Sequence, residues 1–99
     1  MSTAMRRMPG FPMATPLEVS SAAGVQRERL RRVIRIVLKA AREDADISQT
    51  ELARRLEWTR NQVANLEGGR RDIGFADFIM IARALRVDPD RMLQRILQW

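Results

Sequence analysis

The 99-residue chain has no cysteine, no histidine and no tyrosine. Without Cys there is neither a disulfide framework nor a thiolate metal site. Without His the common zinc sites, the hydrolytic triads and imidazole general bases are excluded. Asp, Glu, Lys and Ser chemistry stays formally open, but no acidic pairs cluster along the chain. No catalytic residue, metal ligand or cofactor is therefore assigned, and an enzyme is not expected. Long apolar runs are missing too: none approaches the roughly 18–20 residues needed to cross a bilayer, so no membrane partner is expected. Lysine is almost absent, since all but one of the 18 basic residues are Arg.

What is present is positive charge, net +6, on a chain with 45% hydrophobic residues. That hydrophobic content supports one small core, and a chain this short buries only a modest one. Arg is suited to bidentate contact with phosphate and with guanine edges. A basic small domain points to nucleic acid or another anionic surface; a merely solvated basic face is the plain alternative.

Residues 1–24, "MSTAMRRMPGFPMATPLEVSSAAG", hold three of the four prolines and four of the six methionines. They show no periodicity and read as a flexible N-terminal arm. Arg6 and Arg7 are not followed by an apolar stretch, so the segment does not read as a secretory signal. The arm has a functional alternative, contact with DNA or with a protein partner.

The pattern changes at Val25, where a domain over residues 25–99 is expected. Leu30, Val33, Ile34, Val37, Leu38 and Ala41 form one apolar stripe at helical spacing. The stripe predicts a long first helix from about Gln26 to Asp44. Ser48 and Glu51 then form an S-x-x-E capping box, with Ile47 and Leu52 as a hydrophobic staple. Thr59 and Gln62 form a second box, with Trp58 and Val63 as its staple. Gly68–Gly69 marks the end of that third helix. A fourth helix is expected over "FADFIMIARALR", with Phe75, Phe78, Ile79, Ala82 and Leu85 on one face. Asp88 and Pro89 open a fifth, with Met92, Leu93, Ile96 and Leu97 on its apolar face. The expectation is an all-α bundle of five helices.

Two short helices joined by the turn "EWT" are the helix-turn-helix layout. With roughly 100° per residue, the third helix separates into two sides. Arg60, Asn61, Ala64 and Asn65 share one face, while Val63 and Leu66 form an apolar seat opposite. Arg can bond guanine O6 and N7, Asn can pair with adenine N6 and N7, and Ala leaves room for close approach. Arg60, Asn61 and Asn65 are therefore the candidate base readers. Gln49, at the start of the second helix, and Arg70 and Arg71, after the third, are candidate phosphate contacts.

Residues 38–93, and most specifically "SQTELARRL", "NLEGGRR" and "IARALRVDP", resemble the Cro/phage-repressor family, often called XRE-like, with the helix-turn-helix motif over 48–67. The resemblance implies a compact five-helix bundle of the phage-repressor DNA-binding type, here with an extended first helix. It also implies sequence-specific transcriptional control, with repression as the expected sense, by a cytoplasmic homodimer on a palindromic double-stranded DNA operator. By the same resemblance Thr59 is a cap that also touches phosphate, and Arg42 and Glu67 form a structural ion pair holding the third helix. Two departures stand out. Glu57 and Asp46 occupy corner positions where the family commonly has Gly, and a left-handed backbone there disfavours Glu more than Asp. The family's inducible multi-domain regulation is not carried over.

A dimer also follows from the small size and the surplus apolar groups. The fifth helix is its candidate interface, through Met92, Ile96 and Trp99, and Met80 and Ile81 lie off the main stripe of the fourth helix. The competing reading is an antitoxin-like module that binds a protein partner through residues 1–24, with DNA binding secondary.

Overall fold

The computed structural model describes the backbone over residues 16–99 and the side chains from residue 22 onward. Five helices follow one another: α1 (Pro16–Asp44), α2 (Gln49–Leu56), α3 (Arg60–Glu67), α4 (Phe75–Ala84) and α5 (Pro89–Leu97). Among the described residues there is no strand, and the fold is all-α. The expected arm lies outside the described residues as far as residue 15. Over 16–24 the backbone is helical, so α1 starts about ten residues earlier than its apolar stripe suggests. Pro16 suits the first position of a helix, where its missing N–H has no partner to lose. No further proline follows until Pro89.

The core is assembled from one face of each helix. Val33, Val37, Leu38 and Ala41 of α1 meet Leu52, Ala53 and Leu56 of α2, Val63 and Leu66 of α3, and Phe78, Ile81 and Ala82 of α4. Met92 and Ile96 of α5 complete it. Met92 and Ile96 are thus buried within the chain's own core, and the expectation that they form a surface for a second copy is corrected on that ground. Of the three expected interface residues Trp99 alone is exposed, and the other exposed apolar groups near the C-terminus are Leu93 and Leu97. Helical geometry gives the reason: Leu93 and Leu97 lie about 100° round the helix from the two buried residues. Ile81 likewise belongs to the core, whereas Phe75, at the first position of α4, is exposed. Leu30 continues the α1 stripe but is 45% exposed, because α1 runs on past the helices it packs against.

Three of the joints share one construction. Asp46, Glu57 and Arg86 all have left-handed backbones, with φ of 62°, 59° and 59°. At each joint the next residue, Ile47, Trp58 or Val87, sends its N–H back to a carbonyl of the helix just ended: Arg42, Ala53 and Ala82 respectively. This double-bonded helix end satisfies carbonyls that would otherwise lack partners. The apolar residue also packs on the core, and the residue after it, Ser48, Thr59 or Asp88, caps the next helix. One three-residue joint therefore closes one helix and opens another. It sets the α2–α3 angle on which any use of α3 depends.

The Thr59 capping box is complete: its hydroxyl accepts from the Gln62 N–H, and the Gln62 side chain accepts from the Thr59 N–H. The Ser48 box is half made. Ser48 Oγ accepts from the Glu51 N–H, but the Glu51 carboxylate is taken by Arg54 and Arg55 at 2.6–3.0 Å. Arg55 in turn donates to the Ala84 carbonyl at 2.7 Å, tying α2 to the end of α4. Among the described residues no helix is long and apolar enough to cross a membrane.

Candidate nucleic-acid interface

Helix α3 is eight residues long and held from one side only. Val63 and Leu66 are buried, while Arg60, Asn61 and Gln62 are exposed and Ala64 and Asn65 are partly so. The structure therefore gives α3 an outward face carrying Arg60, Asn61, Ala64 and Asn65. Arg60 and Asn61 make no side-chain hydrogen bond to another described residue. Their donors and acceptors stand open to a ligand.

The back of α3 is fixed by a buried ion pair. Arg42 Nε donates to Glu67 Oε2 at 2.7 Å and Arg42 Nη2 to Glu67 Oε1 at 3.0 Å, a two-pronged contact. The third arginine nitrogen, Nη1, donates to the Ile47 carbonyl at 2.7 Å. The two side chains are only 10% and 6% exposed. Hydrogen bonding to Glu67 raises the Arg42 pKa above its ordinary value, against the opposing effect of burial. Two charges taken out of water are tolerable only when both are hydrogen-bonded, as here. Gln49 joins the network, its amide donating to Glu67 Oε1 at 3.0 Å. The first turn of α2 and the last turn of α3 are thereby clamped to α1 at one point. Gln49 is half-buried, with part of its amide committed to this clamp.

Beyond α3 the chain turns at Gly69, whose φ is +81°. That left-handed backbone favours glycine, while a Cβ there would stand 2.8 Å from the Arg35 Cζ and displace only the end of that flexible side chain. Arg70 and Arg71, both candidate phosphate contacts, are placed differently. Arg70 is exposed, and its Nε donates to Asn65 Oδ1 at 3.1 Å. Asn65 thus shares its acceptor with Arg70, while its carbonyl receives the N–H groups of both Arg70 and Arg71. Arg71 is turned inward. Its guanidinium lies over the Trp58 ring at 4.1 Å and stands 3.7 Å from Asp77. One of its terminal nitrogens, Nη1, is buried without a hydrogen-bond partner among the described residues. The ring face offers partial electrostatic compensation. Arg71 therefore links the α2–α3 joint to the start of α4.

Three contributors had no counterpart in the sequence reading: Arg35, packed on Gly69; Arg31, bonded to Asp72 at 2.6 Å; and Asp77, which also accepts from the Gly74 N–H at 3.4 Å. Nothing in local spacing brings α1 against the loop after α3. Asp77 three residues past Gly74 is the signal that was readable, as the acidic half of a cap.

Residues 34–94 match the family model for a helix-turn-helix domain. No curated protein matches the chain. Among solved structures it is similar to the XRE-family like protein from Pseudomonas syringae pv. tomato str. DC3000, at 26% identity and a TM-score of 0.67. That similarity covers 79% of this chain and 94% of the other. It is also similar in fold to the clp gene regulator ClgR from C. glutamicum, at 22% identity and a TM-score of 0.65, over 70% of this chain and 90% of that one.

Proposed function

The chain belongs to the helix-turn-helix domain family, in its XRE-like form, and we propose that it is a sequence-specific double-stranded DNA-binding repressor of transcription. In this reading α3 enters the major groove of a palindromic site, one copy from each subunit of a homodimer. Arg60, Asn61 and Asn65 read base edges; Gln49, Thr59 and Arg70 hold phosphates. Arg71 is the weakest of the phosphate assignments, because it is stacked against Trp58 and beside Asp77. The working compartment is the cytoplasm, where the operator is.

The observation that carries the reading is the outward Arg60–Asn61–Ala64–Asn65 face on a short helix whose opposite side is seated in the core and clamped through Glu67. A face with two Asn on so short a helix does little for its stability, since Asn is a poor helix former. It has the donor and acceptor pattern that base edges require.

Selection of bound duplexes from a random pool tests it. The expected product is a two-fold symmetric site whose half-sites lie about one DNA turn apart. Recovery of no preferred sequence would defeat the reading. An asymmetric single half-site would defeat the homodimer while leaving base reading intact. Placing the selected site across a promoter and measuring transcription distinguishes repression from activation.

A further inference from the structure

Residues 24–32 of α1 are all exposed, and the helix is strongly basic there and just beyond. Five arginines against one glutamate occupy residues 27–35. Arg27, Arg29 and Arg32 pair with no acid among the described residues. Val25 is 72% exposed.

The direction in which this helix leaves the bundle follows from contacts already described. At Arg42, α1 touches Glu67, which also accepts from Gln49 in the first turn of α2. Two turns earlier, Arg35 lies against Gly69, in the loop that carries Arg70. One turn earlier again, Arg31 is bonded to Asp72 of the same loop. One flank of α1 thus runs from one proposed phosphate-holding element, the start of α2, to the other, the loop after α3. Arg27 is the next cation along that flank, one turn before Arg31. At 1.5 Å per residue it lies about 12 Å further along the axis than Arg35, a reach of roughly three to four base steps. Arg29 points elsewhere. With roughly 100° per residue it stands about 160° round the helix from Arg31, on the side that Asp44 presents to Arg95 of α5.

We propose that the flank of α1 carrying Arg27 and Arg31 is a phosphate-binding ridge that extends the DNA contact past the end of α3 into the duplex beside each half-site. The proposal rests on the DNA-binding reading given above. The ridge carries no sequence information, because its partners are backbone phosphates. It lengthens the footprint and adds to the salt dependence of binding. Arg31 is partly neutralised by Asp72 and by Glu28 at 3.7 Å. It therefore serves chiefly to fix the helix against the loop, while Arg27 meets the phosphate more freely.

The test uses the full chain and a pool-selected duplex, in a long-flanked form and in a form trimmed close to the half-sites. Arg27→Gln/Arg31→Gln is compared with wild type and with Arg29→Gln, which removes a charge from the opposite side. Glutamine keeps the helix propensity close to that of arginine. The double variant should lower the slope of log affinity against log salt by about one to two units, with unchanged base preference. Trimming the flanks should reproduce that loss for wild type and add nothing for the double variant. Arg29→Gln should leave the slope within a small fraction of a unit. A wild-type slope in the double variant overturns the ridge, as does an equal loss from Arg29→Gln, which would make the effect one of net charge alone. The same experiments separate this failure from a failure of the underlying reading. If Arg60→Ala relaxes base preference while the double variant behaves as wild type, only the ridge falls. If the wild-type chain binds no duplex with sequence preference, both fall.

Discussion

Arg86 carries a cost that its position does not require. Its φ of 59° falls in the left-handed region, where a side chain costs roughly 1–2 kcal/mol and glycine costs little. Arg86→Gly should therefore stabilise the chain by about 0.5–1 kcal/mol, net of the added freedom of the unfolded glycine, and raise Tm by a few degrees. Thermal unfolding checks this. Glu57 has the same geometry, but it borders α3, so stability and binding would change together there. Arg86 joins α4 to α5, away from the α2–α3 joint, and keeps the two effects apart. Glu67 is the opposite case, a residue whose cost is hidden while its partner is present. Glu67→Ala would leave Arg42 buried with no counter-charge, a change worth about 3–5 kcal/mol. Against the 5–15 kcal/mol typical of whole domains, that is a large share. The urea midpoint should fall steeply; a midpoint within experimental error of wild type would mean that the pair contributes nothing.

The elements differ in how far their own sequences specify them. For α2 and α3, the caps, staples and apolar seats are all local, and both helices were legible with boundaries within a residue. The Arg42–Glu67 contact was legible only through resemblance, because partners 25 residues apart leave no local trace. The start of α1 was misjudged because residues 16–24 carry no apolar stripe, yet nothing in them stops a helix once it has begun. The outer placement of Leu93 and Leu97 was hidden by a face drawn too wide, since pattern alone does not say which edge of it the core accepts. The Ser48 box was misread in its second half, because Arg54 and Arg55 compete for the Glu51 carboxylate and win. Their hydrogen bonds hold the Glu51 pKa down to about 2, below its ordinary 4.5. A carboxyl depressed in the folded state stabilises fully above its unfolded pKa and loses that contribution as pH falls through the folded one. The stability difference between wild type and Glu51→Gln should thus be constant above about pH 5 and shrink between about pH 4.5 and pH 2. A difference independent of pH over that window would remove Glu51 from the account of how α2 is held. For α3, Arg60→Ala should weaken binding by about 1–3 kcal/mol and relax preference at one base position. Arg70→Ala should weaken all sequences alike and lower the salt slope by about one unit. Identical behaviour of the two in a binding titration would contradict the division between base reading and phosphate holding.

At the scale of the whole molecule, the homodimer proposed above raises the question of how two copies of α3 would come to face one duplex. Met92 and Ile96 close the core of a single chain, so a dimer must form without them. The same helix leaves Leu93, Leu97 and Trp99 in solvent, the last two at 69% and 59% exposure. Large apolar side chains grouped at one end of a small domain are what an interface between like copies requires. Leu97→Glu places a charge at the centre of that group without disturbing the core. Sedimentation should then show a dimer for wild type and a monomer for the variant. Binding to a single half-site should be unchanged, because α3 and its clamp are untouched. Binding to the two-half-site duplex should drop toward the half-site value, since the gain from linking two contacts is lost. The folded stability of the variant monomer should match that of wild type diluted below its dimer dissociation constant. Wild type that sediments as a monomer at concentrations where it occupies both half-sites would instead mean that the DNA alone brings the two copies together, and α5 would have no part in the assembly.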